Sequence, residues 1–160
     1  MTLPRNARGG GALSTGGRVR TTMQIEHVAV WTNDLERLRG FYEAYFGASA
    51  SARYENPIRR FESYFLRFAS GARLEIMSRP DIPRDTSDPH VQRTGFIHLA
   101  LTVGDEAAVD ALTRRLRMAG HEVVDGPRRT GDGYYESVVL DPDGNRLELT
   151  AGRAKDAPTP

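Results

Sequence analysis

Along the chain, apolar positions follow short runs and alternations that break repeatedly into helical spacing. "MQIEHVAVW" (residues 23–31) is β-branched and short, which predicts a strand. "NDLERLRGFYEAYFG" then places Leu35, Leu38, Phe41 or Tyr42, and Tyr45 on one helical stripe, with Asn33 as N-cap, Glu36 three residues later and Gly47 at the end. Gly40 weakens this helix by roughly 1 kcal/mol relative to alanine. Three short strands are predicted near 50–54, 61–68 and 72–77, with "ASG" as the turn between the last two. Residues 79–93, "RPDIPRDTSDPHVQR", hold three prolines and three aspartates and read as a linker. The order then restarts. "GFIHLALTV" predicts a strand, and "GDEAAVDALTRRLRMAG" a helix with Val109, Leu112 and Leu116 inward and Gly120 closing it. "HEVVDG", "YYESVVL" and "NRLELT" predict three more strands, the last two joined by the turn "DPDG".

The restart is a repeat in register. "GARLEIM" (71–77) returns as "GNRLELT" (144–150), "HVAV" as "HLAL", and "FESYF" corresponds to "YYESVV". His27 and His98 lie 71 residues apart, Glu75 and Glu148 lie 73 apart, and each histidine precedes its glutamate by 48 or 50 residues. Repetition at one period predicts duplicated supersecondary units burying a shared core. The expected fold is α+β: two tandem βαβββ modules forming a curved mixed sheet. The expected division is an N-terminal extension without regular structure over 1–22, a first module over 23–78, a linker over 79–93, a second module over 94–151 and a loose tail over 152–160.

Composition narrows the chemistry. The 160 residues are 39% hydrophobic and 27% charged, and no window approaches the roughly 18 unbroken apolar residues of a membrane span. Cysteine is absent, so any metal must be held by imidazole and carboxylate, and a cytoplasmic location is expected. The net charge of +1 hides an asymmetry. Arg5, Arg8, Arg18 and Arg20 stand among the first 22 residues with no acid, leaving 18 basic against 21 acidic residues beyond them. Such a leader suits a transit peptide or an upstream start before Met23, and the mildly acidic remainder argues against nucleic-acid binding.

Strand alternation puts Ile25, His27, Ala29 and Trp31 on one face, and Phe96, His98, Ala100 and Thr102 on its counterpart. Arg73, Glu75 and Met77 share a face, as do Arg146, Glu148 and Thr150. If first and last strands are neighbours in each module, each module offers an imidazole beside a carboxylate. Two modules facing each other would converge His27, Glu75, His98 and Glu148 on one divalent transition metal (Ni, Zn, Co, Mn or Fe), with open positions for water or substrate. Arg73 and Arg146 are candidates for substrate anions or for salt bridges to the glutamates. His90 and His121 break the repeat and read as surface residues.

With this ligand spacing the chain resembles the vicinal oxygen chelate superfamily of glyoxalase I, extradiol dioxygenases, fosfomycin-resistance transferases and bleomycin-resistance proteins. The likeness covers about residues 23–151, and "IEHVAVWTNDLERLRGFYEAYFGA" and "GDGYYESVVLDPDGNRLELT" carry it in detail. Glu75 fills a ligand position that the dioxygenases and fosfomycin transferases leave open, which resembles glyoxalase I. The resemblance implies a metal-dependent lyase or isomerase that moves a proton between adjacent carbons of an α-hydroxy-carbonyl or hemithioacetal through an enediolate. Glu148 is then the base and Glu75 the second candidate. Non-catalytic small-molecule binding and iron-dependent dioxygenation are the alternatives. Glyoxalase I commonly has an arginine four residues after the first ligand histidine; Trp31 stands there, as a stacking surface for substrate or as a core or interface aromatic. The modules could pair within one chain or across two copies, and a homodimer is expected.

Overall fold

The structure, a computed structural model, describes residues 22–152. The expectations for the leader and the tail fall, at 1–21 and 153–160, outside that span. Two mixed sheets, each backed by one helix, follow each other along the chain.

The first contains β1 (His27–Trp31), α1 (Leu35–Phe46), β2 (Ser49–Ala50), β3 (Tyr54–Asn56), β4 (Phe61–Arg67) and β5 (Arg73–Ser78). Its strand order is β1-β5-β4-β2, with β3 also on β4. The second contains β6 (Leu99–Gly104), α2 (Glu106–Met118), β7 (Val123–Arg129), β8 (Tyr135–Leu140) and β9 (Arg146–Ala151), in the order β6-β9-β8-β7. In each, the first strand lies parallel to the last. That is the adjacency the sequence argument required.

Local signals set the elements and their ends. Asp34, not Asn33, caps α1: its carboxylate accepts from the Arg37 N–H at 3.0 Å. Asn33 is displaced because Thr32 and Asp34 already bond each other across it. Gly47 closes α1 at φ +62°, where a side chain would be strained. β1 starts at His27 rather than Met23, since its parallel partner β5 begins at Arg73, opposite His27. In the second sheet His98 stands one residue before β6, whereas His27 is the first residue of β1.

Helices cover one face of each sheet and leave the other open. Leu38, Phe41 and Tyr42 of α1 pack with Leu66, Leu74 and Ile76; Val109, Thr113 and Leu116 of α2 join Val139, Leu147 and Leu149 in the same continuous core. Leu112 is only partly buried, while Thr113 is buried with its hydroxyl 2.6 Å from that of Ser137.

The junction between the halves is made by α1. The Tyr42 hydroxyl donates to Asp141 at 3.2 Å, Arg37 pairs with Asp143, and Arg115 donates to the Ala44 carbonyl at 3.0 Å. His121 is no surface residue: half-buried, it packs against Phe41 and Tyr45 at 4.8 and 5.1 Å, because the end of α2 abuts α1. His90 is exposed, 3.1 Å from Glu122. Among the described residues no helix is long and apolar enough to cross a membrane.

Candidate active site

Two imidazole–carboxylate pairs occupy the open faces at equivalent places. His27 faces Arg73 across β1 and β5, and Glu75 faces Ala29, so histidine and glutamate are diagonal neighbours over a small methyl group. His27 Nε2 lies 3.8 Å from Glu75 Oε2. In the second sheet Ala100 faces Glu148, and His98 Nε2 lies 3.3 Å from Glu148 Oε2. The side chains of His27 and His98 are 40% and 36% exposed, against 15% and 17% for Glu75 and Glu148. Each imidazole is therefore reachable while its carboxylate is held lower in the sheet.

The two pairs do not meet within one chain. Among the described residues, no three His, Asp or Glu side chains gather within reach of one metal ion. In one copy the structure thus brings His27 to Glu75 and His98 to Glu148, and does not bring the two pairs together. Each half carries two donors, one nitrogen and one carboxylate.

Surroundings differ sharply. His27 Nδ1 bonds Glu26, which also takes Arg73, and these contacts, the histidine bond first, hold the Glu26 carboxyl below the ordinary range. With Nδ1 occupied, Nε2 is the free donor on the side of Glu75. Glu26 is a residue the strand alternation hides, since it precedes β1 and is not bound to its inside-outside pattern. Phe65 stands edge-on to His27 at 5.4 Å, and the Arg73 guanidinium lies 4.0 Å from the Phe65 ring. Trp31, 39% exposed, meets Phe61 edge-on at 6.0 Å and has Arg79 5.6 Å from its ring.

Around His98 the neighbours are polar. Thr102 and Thr150 hydroxyls are 3.3 Å apart. Glu136, opposite Thr150, is buried on β8, and Arg128 of β7 reaches it at 3.4 Å. Burial, and then the charge of Glu148, raise the Glu136 carboxyl above its ordinary range, with Arg128 opposing. Gly126 makes this approach possible: at φ +77°, a Cβ there would meet the Glu136 carbonyl at 2.6 Å. Arg146 does not turn to Glu148; it donates to the carbonyls of Pro89 and His90 at 3.0 and 3.2 Å, tying the linker down.

Two helix-backed mixed sheets, each with the first strand parallel to the last, are the architecture of the vicinal oxygen chelate class. A family model described as Glyoxalase/Bleomycin resistance protein/Dioxygenase superfamily matches residues 24–149, and the chain belongs to that superfamily. It is 26% identical over 136 residues to the metallothiol transferase FosB of Lysinibacillus sphaericus, covering 85% of this chain and 87% of that protein. Over 137 residues it is 27% identical to the lactoylglutathione lyase of Haemophilus influenzae, covering 82% and 95%. A glyoxylase/bleomycin resistance protein/dioxygenase domain from Frankia sp. EAN1pec superposes with a TM-score of 0.69 at 20% identity, over 83% of this chain and all of that one.

Proposed function

We propose that the protein is a divalent-metal-dependent lyase or isomerase of glyoxalase I type, with each site assembled from two copies of the chain. His27 and Glu75 of one copy would join His98 and Glu148 of the other. The observation that carries this reading is the matched pair: imidazole and carboxylate, 3.8 and 3.3 Å apart, in the same register on two open faces.

The edges support a second copy. β1 and β6 each have one sheet neighbour, so each leaves a free edge beside its histidine. Ile25 and Phe96, two residues before the histidines, are 72% and fully exposed, and Ile97 is also exposed. Apolar side chains at corresponding places on both edges suit a self-complementary interface.

The donor set fits a borderline divalent metal: two neutral nitrogens and two carboxylates, with no thiolate in the chain. Such an ion supplies Lewis-acid stabilisation of oxyanion charge on a hydroxy-carbonyl or hemithioacetal. The chain's own part is proton movement. A Glu148 carboxylate oxygen takes the proton from the carbon beside the carbonyl and returns it to the neighbouring carbon. Glu75, in the aromatic half, holds and orients, and is the second candidate for the base. Trp31 stands where a carboxylate-holding arginine is common in glyoxalase I, so a thiol partner held by its charge is not the expected substrate.

Complementation tests the reading. One variant carries His27→Ala and Glu75→Gln, the other His98→Ala and Glu148→Gln; each alone should bind little metal and exchange no substrate proton. Co-refolded, they form mixed pairs in which one site has all four native ligands. Recovery of metal binding and proton exchange on mixing is the expected result. Absence of recovery, with both variants folded and paired, refutes the shared site.

A further inference from the structure

We propose that the rim of the first sheet around Trp31 is a binding subsite for an aromatic carboxylate. The proposal concerns the far end of the molecule handled at the paired ligands, and rests on that reading only for what lies at the near end.

Trp31 ends β1 on the same face as His27, four residues away, or about 13 Å along the strand. The indole is 39% exposed, which leaves part of it open to a ligand. Phe61 stands at 90° to it, making an apolar corner, and Tyr54 extends that wall, 6.0 Å from Phe61 and more than half exposed. A flat ring laid against the indole would meet Phe61 edge-on.

Beyond this corner the surface turns basic. Arg59, Arg60 and Arg79 line an open depression of about 420 Å³ together with Pro80 and Asp81. Arg79 belongs to both regions: its guanidinium lies by the indole ring and its Nε bonds Asp81 at 2.6 Å. The nearby acids Glu55 and Glu62 both pair with Arg53, at 3.3 and 2.5 Å, so they offset part of the charge at the depression without cancelling it. With that cluster included, Arg53, Arg59, Arg60 and Arg79 outnumber Glu55, Glu62 and Asp81 by one, which leaves a net positive charge for a carboxylate to meet.

The backbone supplies an independent observation. Arg60 sits in the turn between β3 and β4 at φ +51°, a left-handed conformation that glycine or asparagine adopts with less strain. The turn itself is fixed without its side chain: the Arg60 N–H donates to Pro57 and the Arg59 N–H to Asn56. An arginine held there against its preference is how the Arg60 guanidinium comes to line the depression.

Aromatic corner and cationic depression, sharing Arg79, together fit one ligand chemistry: a planar ring on Trp31 with a carboxylate carried past it to the guanidiniums. An aliphatic acid would leave the corner empty. A neutral aromatic would leave the charge unanswered.

Trp31 is the sole tryptophan of the chain, so its emission reports the subsite directly. The full chain, kept with a chelator, is titrated with 3-phenylpropionate, 3-phenylpropan-1-ol and hexanoate. A saturable emission change is expected for 3-phenylpropionate, with the alcohol and hexanoate each binding several-fold more weakly, by about fivefold or more. Arg79→Gln should weaken 3-phenylpropionate by about tenfold while barely changing the alcohol, and Arg79→Lys should recover part of the loss. Raised ionic strength should weaken the acid alone. Equal binding of acid and alcohol, no saturable response to the acid, or an Arg79→Gln protein with unchanged affinity overturns the subsite. Because no metal is present, these outcomes do not depend on the paired ligands: a protein that takes up no metal can still pass, and a metal-binding protein can fail.

Discussion

The sheet of His27 carries rings beside a Glu26–Arg73 pair; the sheet of His98 carries hydroxyls, a buried carboxyl and an arginine. Phe65 stands against His27, with Phe61 and Trp31 further along the same sheet, whereas Thr102, Thr150, Glu136 and Arg128 lie on the second sheet. Yet histidine and glutamate occupy the same register in both sheets. What repeats is the histidine–glutamate pair; what differs is the surface beyond it. The proposed composite site, built from one face of each kind, would have a gripping side and a proton-handling side, with no need for either sheet to do both.

The largest effect expected from this division is a difference between the two glutamates. Glu148→Gln keeps shape and an oxygen donor but cannot usefully accept a proton near neutral pH. It should retain appreciable metal while slowing proton exchange by about 10²–10⁴-fold. Glu75→Gln should be much milder in exchange. Measuring bound metal and α-proton exchange for both variants decides it, and a reversal of the two effects would assign the base to the aromatic half.

Next in size is a test of whether the halves fold as one. Ile76 and Leu149 are both fully buried and each follows its ligand glutamate, so they are matched probes. Truncation of either to alanine should cost about 2–5 kcal/mol. Because both belong to one continuous core, each should shift a single cooperative melting transition. Two separable transitions, each sensitive to one variant, would show the halves to be independent units.

The junction offers a smaller probe. Burial, with Asp141 beside it, pushes the Tyr42 hydroxyl well above the ordinary phenol range, so it is a protonated donor throughout the neutral region. Tyr42→Phe removes that bond between α1 and the β8–β9 turn. Asp141 keeps the N–H groups of Asp143 and Asn145 at 2.9 Å, so the loss should be about 1–2 kcal/mol. A variant as stable as the parent would show that α1 is held to the second half by its apolar contacts alone.

How much of this was readable in the chain depends on range. The repeat, the βαβββ order and the phase of His27, Glu75, His98 and Glu148 are local patterns, and the first and last strands pair as those patterns require. Glu26 and Glu136 were not readable for different reasons. Glu26 reaches His27 because it lies outside the strand, where alternation no longer fixes its side. Glu136 gains Arg128 only through the irregular register of β7 against β8, which no periodicity announces. The burial of His121 depends on where α1 leans, a matter of packing between elements 75 or more residues apart in sequence. That the two histidine–glutamate pairs stand apart in one copy is likewise a property of how the sheets are placed, not of what each carries.

The finest test of the contrast concerns Glu136, the carboxyl that the aromatic half lacks. Its burial and its proximity to the charge of Glu148 raise it above the ordinary range. An acid raised in the folded state contributes stability at pH below the ordinary carboxylate value, and that contribution is lost as pH rises through the raised value. Glu136→Gln carries no such penalty. Melting temperatures compared with a chelator present should therefore coincide in mild acid and diverge as pH rises, the glutamine variant becoming the more stable at neutral pH. The effect should be small, because Arg128 at 3.4 Å already offsets part of the cost. Divergence of the opposite sign would mean that the Arg128 pair outweighs both burial and repulsion, making the polar face a stabilising ion network rather than a strained one.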